Sequence, residues 1–486
     1  MLPEVASASL EQVLAQLKGL RESRSVIAMQ ASARDRLDRF VPHLLMVLSL
    51  ESFELPYSEA LARVLNLVES VIRRSAYLVL LLENPGALRQ LVRLSAASPW
   101  IAEELAKHPA LLDELLDART LYTPPDKQGL RDELRQAVLR LHWEDLEGHM
   151  EVLRHFRQAH GLRVAASEVT DILPLMKVSD YLSDIAEVVL EHVLNLAWEN
   201  MVARHGTPRR DDGSYCDPDF IVVAYGKLGG IELAHGSDLD LVFIHDASSK
   251  QSTDGERSLD NQTFYTRLGQ RIIHIITTRM TSGELYEVDM RLRPSGNSGL
   301  LVSSLTAFEK YQKDEAWVWE HQALVRARVV AGCPKLAERF NAVREQVLCQ
   351  SRDLAPLREE VIKMREKMRQ HLGTKGPDGQ YFHLKQDAGG IVDIEFMVQY
   401  AVLAWAKSEP SLVRYTDNIR ILGCLETLQR LDPTEVHRLI DAYKAYRSAG
   451  HRLALQRQST TLDSSLFIPE REAVTQLWQR LLSPTH

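Results

Sequence analysis

YGKLGGIELAHGSDLDLVFIHD, residues 225–246, sets a glycine-rich turn before two carboxylates spaced by one residue on an apolar run. In a strand successive side chains point to opposite faces. Asp238 and Asp240 therefore project the same way, about 6.5 Å apart along the chain, while Leu239 and Leu241 face a core. Two carboxylates on one face suit a hard divalent cation. Mg2+ prefers oxygen ligands and is commonly held by one or two carboxylates, with substrate phosphates completing its shell. An isolated Asp-x-Asp is ordinarily a solvated pair, so the flanking residues decide its meaning.

Upstream, FIVVAY (220–225) predicts a short buried strand that runs into Gly226-Lys227-Leu228-Gly229-Gly230. Glycines after a strand let backbone amides approach phosphates, and a following helix start offers N–H groups to an anion. The spacing matches neither a Walker A loop nor a GxGxxG fingerprint. Downstream, LYEVDMRLRP (285–294) alternates so that Glu287, Asp289, Arg291 and Arg293 share one face of a predicted strand. Asp289 supplies the third carboxylate that a two-metal centre places near its nucleophile. Arg291 and Arg293 either pair with it or contact phosphate.

Gly226, followed after eleven residues by Asp238-x-Asp240 and later by Asp289, resembles the nucleotidyltransferase superfamily that includes DNA polymerase β. More narrowly, GKLGGIELAHGSDLDLVFIHD (226–246), VDMRLRPSGNSGLLV (288–302) and EAWVWEHQALVRARVVAG (315–332) are similar to the bifunctional glutamine synthetase adenylyltransferase family. The similarity extends to SPWIAEELAKHPALLDELLD (98–117), PLMKVSDYLSDIAE (174–187) and GGIVDIEFMVQY (389–400). Members of that family carry two homologous halves, each with its own centre, and the wording of 315–328 resembles the carboxyl-terminal, adenylylating half.

The resemblance implies an α+β, predominantly helical fold, with a polymerase-β-like core on a mixed β-sheet flanked by all-α regions. It implies transfer of AMP from ATP to a tyrosine hydroxyl of glutamine synthetase, with two Mg2+ ions held by Asp238, Asp240 and Asp289. Phosphate contacts are expected from Lys227, Ser237, Arg291 and Arg293, and from either Gly226 or the Gly229-Gly230 pair. The choice between the two stays open because the superfamily motif often begins Gly-Ser or Gly-Gly, where this chain has Gly226-Lys227. PII signalling protein and glutamine are implied as regulators. The adenylyl-removing half of the same enzyme and PII-type uridylyltransferase use related centres and remain alternatives.

With 45% hydrophobic and 26% charged residues the composition is globular, and 486 residues predict two or three domains. No run of apolar residues is long enough for a membrane span, no secretory pattern opens the chain, and a cytoplasmic enzyme is expected. A net charge of −8 argues against a nucleic-acid partner. Four cysteines without paired spacing suggest neither a disulfide framework nor a zinc site. Apolar periodicity makes 1–170 an all-helical region, with Ser9 and Gln12 as a possible capping box at its first helix. The catalytic core is expected over 171–335 and a helical domain over 336–486. In the latter, Lys363, Arg365, Lys367 and Arg369 either reach a triphosphate or form a solvated face. Asp393 and Glu395 either face the nucleotide site or cap a helix.

Overall fold

The computed structural model describes residues 7–72, 74, 76–374 and 379–482. The chain is α+β and predominantly helical, with one five-stranded mixed sheet and a two-stranded one. It divides into two compact units.

The first unit comprises residues up to Pro125 with Gln158–Pro174 and Arg452–Gln458. Its core is helix against helix. In the Tyr57–Val71 helix, Leu61, Val64, Leu65 and Val68 are all buried, because steps of three and four residues put them on one stripe. Ser98 caps the Pro99–Lys107 helix by accepting the Ile101 N–H (3.2 Å), with proline at the first helical position. The first helix runs Ser7–Glu22, so Ser9 lies within it rather than just before it, and its side chain lies outside what the structure describes. The side chain of Gln12 accepts from Ser58 Oγ (2.9 Å).

The second unit comprises Asp126–Arg157, Leu175–His451 and Ser459–His486. At its centre lies β1 (Phe220–Ala224), buried at every residue, as an apolar run without alternation requires of a strand covered on both faces. β1 pairs antiparallel with β2 (Leu239–His245), and a strand from further along the chain, Arg328–Gly332, pairs antiparallel with its other edge. Two short strands, β3 (Val288–Asp289) and β4 (Val302–Ser304), run parallel to successive parts of β2. The Arg328–Gly332 strand is β5, giving the order β3-β2-β1-β5. The Asn261–Thr277 helix covers this sheet: Tyr265 stacks on His245 (4.6 Å between ring centres) and on Phe220 (6.0 Å).

The strand expected over 285–294 is only two residues long. Asp289's carboxylate accepts the Arg291 N–H (2.8 Å), an Asx turn that takes the chain out of the sheet. Arg291 and Arg293 therefore do not share a strand face with Asp289. The approach to β3 is set from residues 126–157. Arg154, fully buried, gives Nε to the Gly283 carbonyl (2.9 Å), and Arg157 lies over the Tyr286 ring (4.7 Å).

After β5 the chain returns to helices, among them Leu354–Leu372 and Ile391–Trp405, with β6 (Tyr381–His383) pairing antiparallel with β7 (Thr461–Asp463). Of the turn-rich segment 373–379, residues 375–378 lie outside the described residues. No helix is long and apolar enough to cross a membrane among the described residues.

Candidate active site

Asp238 stands immediately before β2, Asp240 is the second residue of β2, and Asp289 ends β3. The parallel register sets Asp240 beside Asp289. One carboxylate oxygen from each of the three aspartates lies within 4.8 Å of the others. The one-residue spacing brings two acids to one face, and strand pairing across 48 intervening residues adds the third.

Their electrostatics differ. Burial, then the Asp238 and Asp289 charges, push the Asp240 carboxyl up to about 6, against opposition from Lys385 and Arg326. The Arg291 guanidinium holds Asp289 below the usual carboxylate range, with Nε 2.7 Å from Oδ2 and 3.0 Å from Oδ1. Crowded oxygens with one carboxylate resisting ionisation form a cluster of concentrated negative charge. Such a donor set fits a divalent cation with oxygen ligands.

The glycine run folds as a single helical turn, Gly226–Gly229. Gly226 has φ +52°, a left-handed conformation, and a Cβ there would collide with Oδ2 of Asp240. At Gly229 a Cβ would collide with the backbone carbonyls of Arg326 and Ala224. Both positions thus need glycine for close approach, Gly226 to the acids and Gly229 to the sheet. Gly230 faces the Arg326 guanidinium. Arg328 donates to the Leu228 carbonyl (3.0 Å) and pairs with Glu187 (2.5 Å), while Thr416 Oγ1 donates to the Gly229 carbonyl (2.7 Å).

Lys227 donates to Ser237 Oγ (3.2 Å), which also accepts the Ala234 N–H (3.2 Å). Desolvation, then the charge of Lys385, lower the Lys227 ammonium below lysine's ordinary value, although its side chain still reaches solvent. Arg293 is occupied elsewhere, with Nη1 on the Met290 carbonyl (2.8 Å) and Nη2 on that of Asn297 (3.3 Å).

Behind the turn lies a buried network that sequence reasoning missed. Glu232 accepts from Arg326, from Tyr443 Oη (2.6 Å) and from Asn418 Nδ2 (3.3 Å), and Arg326 Nη1 reaches Glu395 Oε1 (2.8 Å). Ile231, a β-branched residue at φ +56°, leads into it. Such a conformation is costly and persists only where the surroundings enforce it. Glu395 thus serves this network. Of the cationic cluster, Arg365 is fully buried on Asp393 (2.6 Å) and Arg369 approaches the same carboxylate (3.3 Å), leaving Lys363 and Lys367 exposed. Asp393 also accepts the Gly389 N–H (2.7 Å) and so ties down a helix start. These arginines are consumed by a buried carboxylate, because a buried charge must be paired.

The family model described as glutamate-ammonia ligase adenylyltransferase matches residues 88–343, more than half of the chain and all five strands of the mixed sheet. The chain belongs to the glutamate-ammonia ligase adenylyltransferase family. A second model, GlnD PII-uridylyltransferase, matches residues 362–479. Among similar proteins, the bifunctional glutamine synthetase adenylyltransferase/adenylyl-removing enzyme of Pseudomonas putida is 56% identical over 97% of this chain and 49% of its own length. That of Pseudomonas aeruginosa is 55% identical over 99% and 50%, and that of Thioalkalivibrio sulfidiphilus 49% identical over 99% and 49%. The chain spans about half the length of these relatives. Membership of the adenylyltransferase family implies use of ATP and a divalent metal.

Proposed function

We propose that this chain transfers AMP from ATP to a tyrosine hydroxyl of glutamine synthetase, releasing pyrophosphate, and that it is the adenylylating half of a two-centre enzyme. The observation that carries the reading is the convergence of Asp238, Asp240 and Asp289 carboxylate oxygens to within 4.8 Å beside the Gly226 turn. Two Mg2+ ions are assigned, one to all three aspartates and one to Asp238 and Asp240 with the triphosphate. When bound, they lower the pKa of the attacking hydroxyl and neutralise charge on the leaving pyrophosphate. A phenol with a pKa near ~10 is only about one part in a thousand ionised at neutral pH, so activation is required.

The chain's own groups do the positioning. Arg291 keeps Asp289 ionised and fixes its rotamer, and its exposed guanidinium is available to phosphate. Gly226 and the Gly229-Gly230 pair let the turn lie against Asp240 and Arg326 without side-chain bulk. Lys227, tied to Ser237, presents an ammonium to phosphate. Arg293 holds the loop that follows Asp289. PII signalling protein and glutamine are proposed as regulators, a reading supported by the PII-uridylyltransferase match over 362–479. A cytoplasmic setting is proposed because ATP is the donor.

The test is mass spectrometry of glutamine synthetase after incubation with this chain, ATP and Mg2+. One adenylyl group on a tyrosine-bearing peptide is expected, and an unmodified target overturns the reading. Adenylylated glutamine synthetase offered with phosphate is the second arm. ADP release there, without forward modification, assigns the removing half instead.

A further inference from the structure

The turn that carries Gly226 and Lys227 is held at its far end by a cation. A helical turn leaves its last carbonyls short of N–H partners. The Leu228 carbonyl accepts the Ile231 N–H (3.1 Å), and the guanidinium of Arg328 adds Nη2 to the same carbonyl (3.0 Å) and Nε to that of Gly229 (3.3 Å). Thr416 Oγ1 also donates to the Gly229 carbonyl (2.7 Å). Strand register puts Arg328 there. It opens β5 opposite Ala224, the last residue of β1, and the turn begins two residues after Ala224.

The guanidinium is itself held. Its Nη2 also donates to Oε1 of Glu187 (2.5 Å) on the Leu175–His205 helix, and buried Glu187 takes the ammonium of Lys127 on its other oxygen. Lys127 opens the Lys127–Val138 helix. A planar guanidinium engaged with three acceptors is fixed in orientation, as a single ammonium would not be. At the near end of the turn the tolerance is small. A Cβ on Gly226 would collide with Oδ2 of Asp240, and the Tyr225 N–H just before it donates to the Asp240 carbonyl (2.9 Å). Four helical residues rise only about 6 Å. A displacement of the Leu228 and Gly229 carbonyls is therefore passed on to Gly226 and Lys227 beside the acids.

We propose that Arg328 is a positioning residue for the nucleotide: by clamping the Leu228 and Gly229 carbonyls it sets the glycine turn, and with it Lys227, against Asp240, while Glu187 and Lys127 hold the clamp. This rests on reading the site as one for a nucleoside triphosphate. It gives the Lys127–Val138 and Leu175–His205 helices a part in nucleotide binding, since the guanidinium keeps its orientation only while Glu187 holds it.

Isothermal titration calorimetry of the full chain with Mg2+ and ATP or pyrophosphate, beside steady-state kinetics of AMP transfer to glutamine synthetase, tests the assignment in wild type, Arg328→Gln and Arg328→Lys. Loss of a group that orients a binding element costs roughly 10–100-fold in affinity. Arg328→Gln is expected to lose that much for ATP and pyrophosphate and to raise the KM for ATP in parallel, with the KM for glutamine synthetase unchanged. Arg328→Lys keeps the charge but cannot span two carbonyls, and should recover part of the loss. Lys127 still neutralises Glu187 in both variants, so both should fold, as circular dichroism will check. Wild-type affinity for ATP and pyrophosphate in Arg328→Gln, at whatever melting temperature, shows a role in cohesion alone and overturns the assignment. An equal rise in KM for both substrates does the same. If Arg328→Gln does not fold, Arg328→Lys is read by the same two criteria. Wild-type protein that binds neither ATP nor pyrophosphate overturns the reading of the site itself, which the variants alone do not.

Discussion

Replacing Asp240 with asparagine should stabilise the metal-free protein while abolishing its response to metal. The Asp240 carboxyl is pushed from an ordinary 3.8 up to about 6 by burial and by its two acidic neighbours. That is roughly a hundredfold in proton affinity, and each tenfold is worth about 1.4 kcal/mol. Asp240 is half-buried, so solvent screening reduces the effect to on the order of 1–2 kcal/mol. The folded-state pKa lies above the unfolded one. This carboxyl therefore favours the fold below about pH 4, loses that advantage as pH rises towards 6, and opposes folding at neutral pH once ionised. Asparagine has no such dependence. Thermal denaturation in chelator at pH 7.5 should show Asp240→Asn melting roughly 2–4 °C above wild type, with the gap narrowing as pH falls and closing below about pH 3.5. Saturating Mg2+ should raise the wild-type transition and leave that of the variant in place. No gain at pH 7.5, or the same gain at pH 4.5, refutes the view that crowded carboxylates strain this site.

Asp238→Asn and Asp240→Asn should each cut AMP transfer by several orders of magnitude with the circular dichroism spectrum unchanged, because a two-metal centre depends on anionic ligands. Asp289→Asn should leave calorimetric binding of ATP with Mg2+ largely intact while transfer collapses; proportionate loss of both places Asp289 in nucleotide binding instead. Gly226→Ala forces a side chain into a left-handed conformation and against Asp240, so Mn2+ affinity followed by electron paramagnetic resonance should fall about 10–100-fold. Glu232→Gln leaves Arg326 short of its buried partner, and urea denaturation should record a loss of about 3 kcal/mol or more; a change within ~0.5 kcal/mol shows that the network contributes little.

The parts of this fold legible in the sequence are those written in local periodicity. The FIVVA run of β1, the LDLVFIH run of β2 and the paired aspartates between turn and strand follow from residue type and a period of two. The third acid was legible as a residue but not as a strand. Alternation over 285–294 looks like extended chain, and only the Asp289 side chain, by capturing the Arg291 amide, ends the strand after two residues. Nothing local announces the long-range pairings. Glu232 is one acid among apolar neighbours, and its partners Arg326, Asn418 and Tyr443 lie 94 to 211 residues away. Arg365 and Arg369 read as a solvated or phosphate-facing cluster because periodicity cannot show that Asp393 packs against them.

The carboxylates of this chain separate by how their charge is balanced, and that separation tells structural acids from functional ones. Burial alone would raise Glu232, but Arg326 and Arg447 outweigh it and hold it below the usual range; Arg328 and Lys127 do the same for Glu187. Each acid is matched to cations by the fold itself, as a group whose task is cohesion must be. Asp240 is matched to none in contact and rises to about 6. A raised carboxyl is not sufficient, however. Asp184 also stands at about 6, chiefly through burial, one turn before Glu187, which takes the ion pairs with Lys127 and Arg328. What distinguishes Asp240 is company: two further carboxylates within 4.8 Å and a glycine turn without side chains pressed against it. Folding alone gains nothing from concentrating negative charge in that way, and the arrangement becomes favourable only when a cation and a polyanion complete it.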